Sequence, residues 1–145
     1  MSRIGFDKRI HPYQLQLRLC VLYDPEGIQN RGGVTLDFRE GRITNYHTNE
    51  DMISTKIQEC VAGDDDLKEL YSFFTLDAIE TFEEMPDDEL SQYMRGYYDC
   101  ANLRYLMISG DGRVSDGVRH YIYSNDPIEM AVEWMRKIAP FKLDA

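Results

Sequence analysis

The run QLQLRLCVLY at residues 14–23 alternates without a break, with Leu15, Leu17, Leu19, Val21 and Tyr23 on one side and Gln14, Gln16 and Arg18 on the other. Successive side chains of an extended chain point to opposite faces, so this pattern predicts a strand with one buried face. It sets the period against which the rest of the chain is read. Downstream, after the turn-rich DPEGIQNRGG, the segment VTLDFR places Val34, Leu36 and Phe38 on one side. Glu40-Gly41 then supplies a tight turn into RITNY. Three antiparallel strands are expected to follow one another.

At Glu50 the period becomes helical. Ile53, Ile57, Cys60 and Val61 fall at i, i+4, i+7 and i+8, Thr48 or Asn49 is placed as the N-cap, and Gly63 can end the helix in a left-handed conformation. A second helix is expected from beside Asp66, stacking Leu67, Leu70, Tyr71 and Phe74. Its stripe continues through Leu76, Ile79 and Phe82 after a bend near Thr75. Pro86 suits a first helical position, and from there Leu90, Met94, Tyr97 and Ala101 share a face, although Gly96 costs about 1 kcal/mol relative to alanine.

LRYLMIS at 103–109 is apolar on both faces, as a central strand is, and VRHYIYS at 118–124 reads as its neighbour. The last helix has Asp126 as cap, Pro127 at its opening, Glu129 for a capping box, and a buried stripe of Ile128, Ala131, Val132, Met135 and Ile138. The expected class is α+β, with a mainly antiparallel sheet made of a three-strand N-terminal meander plus two later strands. A three-helix insert and a C-terminal helix cover it. The 145 residues make one domain, 1–145, able to bury roughly 70% of its extended-chain surface.

Between those last two strands lies SGDGRVSDG, rich in glycine and aspartate. A phosphate-binding loop needs GxxxxGK followed by Ser or Thr and then a helix, yet Val118 and Arg119 follow Gly117 and a strand comes next. A calcium loop starting at Asp111 would have Arg113 at its third position and Ile122 where the bidentate glutamate belongs. In a dinucleotide fingerprint Ser115 would occupy the third glycine's place. The segment reads as a strand connection, and no cofactor is expected.

No metal site is expected either. Cys20, Cys60 and Cys100 form no CxxC or Cys/His cluster, and their odd number fits a reducing compartment. His11, His47 and His120 are widely separated, and His47, Glu50 and Asp51 read as a strand end followed by a helix start. A Cys100–His120 nucleophile pair has no motif to orient it. With no apolar membrane span and no secretory leader in MSRIGFDKRIHPYQ, a cytoplasmic protein is expected.

Charge distribution is the most informative feature. Residues 57–94 hold twelve acids against the single base Lys68, a net of −11 in a chain whose total is −10, so all other residues sum to +1. Asp77, Glu80 and Glu84 are placed on one solvent-facing side of a helix, followed by Asp87, Asp88 and Glu89 and then by the rings of Tyr93, Tyr97 and Tyr98. Acidic clusters steer basic partners, and tyrosines are enriched at interface centres. These nine residues are the candidate docking site for a basic protein, while nucleic acid would be repelled as a direct ligand.

The expected function is a non-catalytic protein-binding module. Its most concrete form is an inhibitor or immunity-type protein neutralising a bacterial nuclease toxin, whose cleft for nucleic acid is basic. Two alternatives stand beside it: a small hydrolase using a carboxylate and His120, and an acidic secretion-type chaperone. The chaperone suffers from the absence of an amphipathic opening helix in residues 1–14.

Overall fold

The structure, a computed structural model, describes residues 16–23, 31–48, 54–86, 88–89, 103–109 and 119–143. Six strands form one antiparallel sheet: β1 (Gln16–Tyr23), β2 (Arg31–Asp37), β3 (Arg42–Thr48), β4 (Ser54–Val61), β5 (Leu103–Ser109) and β6 (Arg119–Tyr123), in the spatial order β4-β3-β2-β1-β5-β6. The first four strands make a meander. β1 then takes β5 on its other side, so Leu19 stands in register with Leu36 of β2 and Leu106 of β5. The helices are α1 (Asp64–Phe73), α2 (Leu76–Glu80) and α3 (Asp126–Ile138). The architecture is α+β, an antiparallel sheet with helices packed on it.

The core follows from the period of two. Val34, Leu36 and Ile43 from the meander and Leu106, Ile108 and Ile122 from the later strands are fully buried. They meet Leu70, Phe74, Ile79, Ile128, Val132 and Met135 from the helical layer. Phe74 packs edge-on against Phe38, with centroids 4.8 Å apart, and edge-on against Phe82 at 6.2 Å. The Tyr71 hydroxyl donates to the Phe38 carbonyl at 2.8 Å, tying α1 to the β2–β3 turn. Beyond α3 the chain returns to the sheet: Asn45 Nδ2 donates to the Lys142 carbonyl at 3.0 Å, and Leu143 is buried in the same core.

Residues alternating with these make a second, aromatic cluster. Tyr105, Met107, Tyr121 and Tyr123 gather with Tyr46 and Met85, and the rings of Tyr105 and Tyr121 meet edge-on at 5.8 Å.

Four expectations change. Over Ser54–Val61 the helix expected from Glu50 to Gly63 is strand β4, and Thr48, one of its two expected caps, lies in β3, while Asn49, the other, lies with residues 50–53 outside the described residues. A register shift between Asn45 and Tyr46 sets Gln58 opposite Asn45 and Lys56 opposite Tyr46, leaving Ile57 without a cross-strand partner. This bulge breaks the alternation that identifies strands. Gly63 precedes α1 as its N-cap instead of ending a helix. The second helix, expected to bend near Thr75, breaks there into two, because Thr75 caps α2 by accepting from Ala78 N at 3.2 Å, and α2 ends at Glu80. The α3 cap is Asn125, whose Oδ1 accepts from Ile128 N at 3.0 Å, so Asp126 and Pro127 lie within the first turn. The insert thus shows two helices, α1 and α2, among the described residues. The helix expected from Pro86 to Ala101 lies almost wholly outside them.

The glycine-rich segment 110–118 also lies outside the described residues. The strands it joins, β5 and β6, are antiparallel neighbours.

Candidate functional site

Of the nine residues singled out for docking, Asp77 and Glu80 lie on α2, Asp77 exposed in its first turn. Glu84 does not share their helix. Residues 83–85 are extended and join the outer edge of β6, with an isolated bridge between Glu84 and Ile122. Met85 N donates to the Tyr121 carbonyl at 2.6 Å and Tyr123 N to the Glu83 carbonyl at 3.1 Å. This extension turns Glu84 onto His120, whose Nδ1 lies 2.7 Å from the carboxylate, and both side chains are largely buried. Asp88 is exposed and Glu89 half-buried. Asp87, Tyr93, Tyr97 and Tyr98 lie outside the described residues.

The structure brings together a different set of acids, around a groove of about 620 Å³ between α1 and α3. The two helices run antiparallel here. The Trp134 indole donates to the Asp66 carbonyl at 2.9 Å and Lys137 pairs with Glu69 at 2.7 Å, while Phe73 at the end of α1 lines the groove with Asp126 and Met130 at the start of α3. Phe73, Met130 and Trp134 form an apolar floor, and Met130 is 47% exposed. Four carboxylates, Glu69, Asp126, Glu129 and Glu133, stand around it against the single base Lys137.

These carboxylates differ in availability. Glu129 is turned toward the sheet, taking Arg104 and the Ser124 hydroxyl, the latter at 3.2 Å. Glu133 pairs with Arg136 one turn on, and Glu69 with Lys137. Both are exposed pairs, whose net worth is about 0–1 kcal/mol, so an incoming cation can replace the partner at little cost. Asp126 has no cation partner among the described residues.

The groove has a local sequence cause that the buried stripe conceals. Met130 lies one turn before Trp134 and beside the stripe of Ile128, Ala131, Val132, Met135 and Ile138; Trp134 is 2% exposed and joins the core, whereas Met130 is left uncovered. Trp134, the chain's only tryptophan, is the signal that could have marked it.

Other chemistry is sparse. Cys60 is half-buried, and burial followed by the neighbouring Glu59 pushes its thiol above the ordinary range, opposite to the activation a nucleophile needs. Among the described residues no three of His, Cys, Asp and Glu group to hold a metal ion, and no helix is long and apolar enough to cross a membrane. In comparisons with known proteins, no family model, curated protein or solved structure matches the chain.

Proposed function

We propose that the protein is a non-catalytic binding module that docks a basic protein partner across the α1–α3 groove. The observation that carries this reading is the groove itself: an apolar floor with an exposed methionine, ringed by four carboxylates and one lysine. Interfaces combine an apolar centre, which excludes water, with a polar rim that selects by charge. The wider acidic surface adds Asp64, Asp65 and Asp66 in the first turn of α1 and Asp77 and Glu80 on α2, and steers the encounter. Within this class the concrete candidate is an immunity-type inhibitor of a nuclease toxin, because a cleft built for nucleic acid is cationic.

The test pairs affinity capture from the native host with kinetics on the captured partner. Neutralising Asp77 and Glu80 is expected to slow association and flatten its salt dependence. Truncating Met130 to serine is expected to accelerate dissociation about tenfold, the effect of losing a modest anchor. A partner whose rates respond to neither change sinks the reading.

One observation favours a hydrolase, the His120–Glu84 pair, since a carboxylate on Nδ1 orients an imidazole for base catalysis at its other nitrogen. The pair shares no residue with the groove lining, and its visible work is to hold residues 83–85 against β6. A hydrolytic activity abolished by both His120→Asn and Glu84→Gln, with folding intact, would move the assignment to this second reading.

A further inference from the structure

Resting on that reading, we infer that the element seated in the α1–α3 groove is a basic amphipathic α-helix of the partner. The shape of the floor argues for it. Both walls are helices, they run antiparallel, and the floor residues Phe73, Met130 and Trp134 lie between them, so the surface is a furrow between parallel ridges. A third helix laid along such a furrow presents an apolar ridge at i, i+3, i+4 and i+7 to the floor. An extended strand would instead require a free backbone edge, and helix walls have none to offer. α1, the shorter wall, has ten residues, which gives the furrow about 15 Å, or nearly three turns of a partner helix.

Charge decides the flanks. Asp126 marks one end of the furrow without a cation partner among the described residues, and Glu133 projects from the same wall, 70% exposed and paired with Arg136 beside it. Lysine or arginine next to the apolar ridge of the incoming helix meets both carboxylates, whereas an acidic helix meets like charge at both.

The experiment uses the intact chain and synthetic peptides of about 18 residues, long enough for an isolated amphipathic sequence to become helical on binding. The first peptide has leucines at helical spacing and lysines elsewhere. The second has the same sequence with alternate residues of D configuration, which keeps charge and composition but cannot form an α-helix. The third replaces every lysine with glutamate. None contains tryptophan, so any tryptophan emission comes from Trp134, which lines the groove.

The expected result is saturable binding of the first peptide with a shift in Trp134 emission and perturbation of α1 and α3 amides. Met130→Ser should weaken it about tenfold, because the exposed side chain contributes floor and not fold. Equal binding of the first two peptides overturns the helical inference and leaves a basic partner standing. Binding of the acidic peptide as tight as that of the basic one, or binding of none of the three, overturns both.

Discussion

Gly41 closes the β2–β3 turn with φ of +69°, and its N–H donates to the Asp37 carbonyl at 2.8 Å. Its own carbonyl accepts from Ala62 N at 2.9 Å, so one residue joins the turn to the end of β4. A Cβ here would stand 2.7 Å from Leu67 Cδ2 and 3.3 Å from Ala62 Cβ, so a substitution adds crowding to the cost of the left-handed backbone. Gly41→Ala should therefore destabilise by about 1–2 kcal/mol, read as a lower urea midpoint with unchanged slope. Glu59 illustrates charge at the same scale. The Lys56 ammonium, 3.2 Å away, and then Arg42 at 2.9 Å hold its carboxyl below the usual range. A carboxyl depressed in the folded state stabilises above its unfolded pKa, and that contribution is lost as pH falls through the folded value. Glu59→Gln should thus lower the urea midpoint near neutrality, and the gap to wild type should close in acid below the ordinary carboxylate range. A gap that persists there would show that the lost interaction was not ionic.

At the scale of elements, β4 explains both a protective device and a misreading. Among the described residues it is an edge strand with one side unpaired, and an open edge invites pairing with another chain. The bulge at Ile57 and the charge of Lys56 blunt it. Lys56→Val should raise self-association, measured by light scattering over time at fixed concentration, while the monomer's circular dichroism stays the same. The strand's position also accounts for its helical appearance in the sequence. Ile57 and Val61 are 55% and 56% exposed, so their spacing reports no buried face, and the bulge shifts the alternation partway along. Where a strand has one face buried against the helices, as in β2 with Val34 and Leu36, the period of two was legible. α3 was legible for the same reason, except that Asn125 and not Asp126 accepts the capping bond. Asn125→Ala should cost about 1 kcal/mol, and Asp126→Ala clearly less, by thermal or urea unfolding. Of the candidate site, the acidity could be read in advance, but the groove could not, because it arises from α1 and α3 meeting across 68 residues of chain.

For the whole molecule, Phe74 is the side chain that links the layers. Its ring touches Phe38 from the β2–β3 turn and Phe82 from the segment beyond α2. Phe74→Ala should cost about 3–5 kcal/mol, a large part of a typical domain's stability, and far- and near-ultraviolet circular dichroism should still report one shared transition. Divergent transitions would show that sheet and helices are held separately. The strand order carries a different consequence, for the chain during its synthesis. β1 is made first among these strands, yet one of its two edges is completed only by β5, with Tyr23 and Leu103 eighty residues apart. At roughly 5–20 residues per second the ribosome takes on the order of 4–16 s to supply that partner. For those seconds the nascent meander has an unpaired edge on β1, with neither the bulge nor the lysine that blunts β4 to guard it. This interval is when a chaperone has most to gain by binding the growing chain, and when two neighbouring nascent chains are most apt to pair with each other.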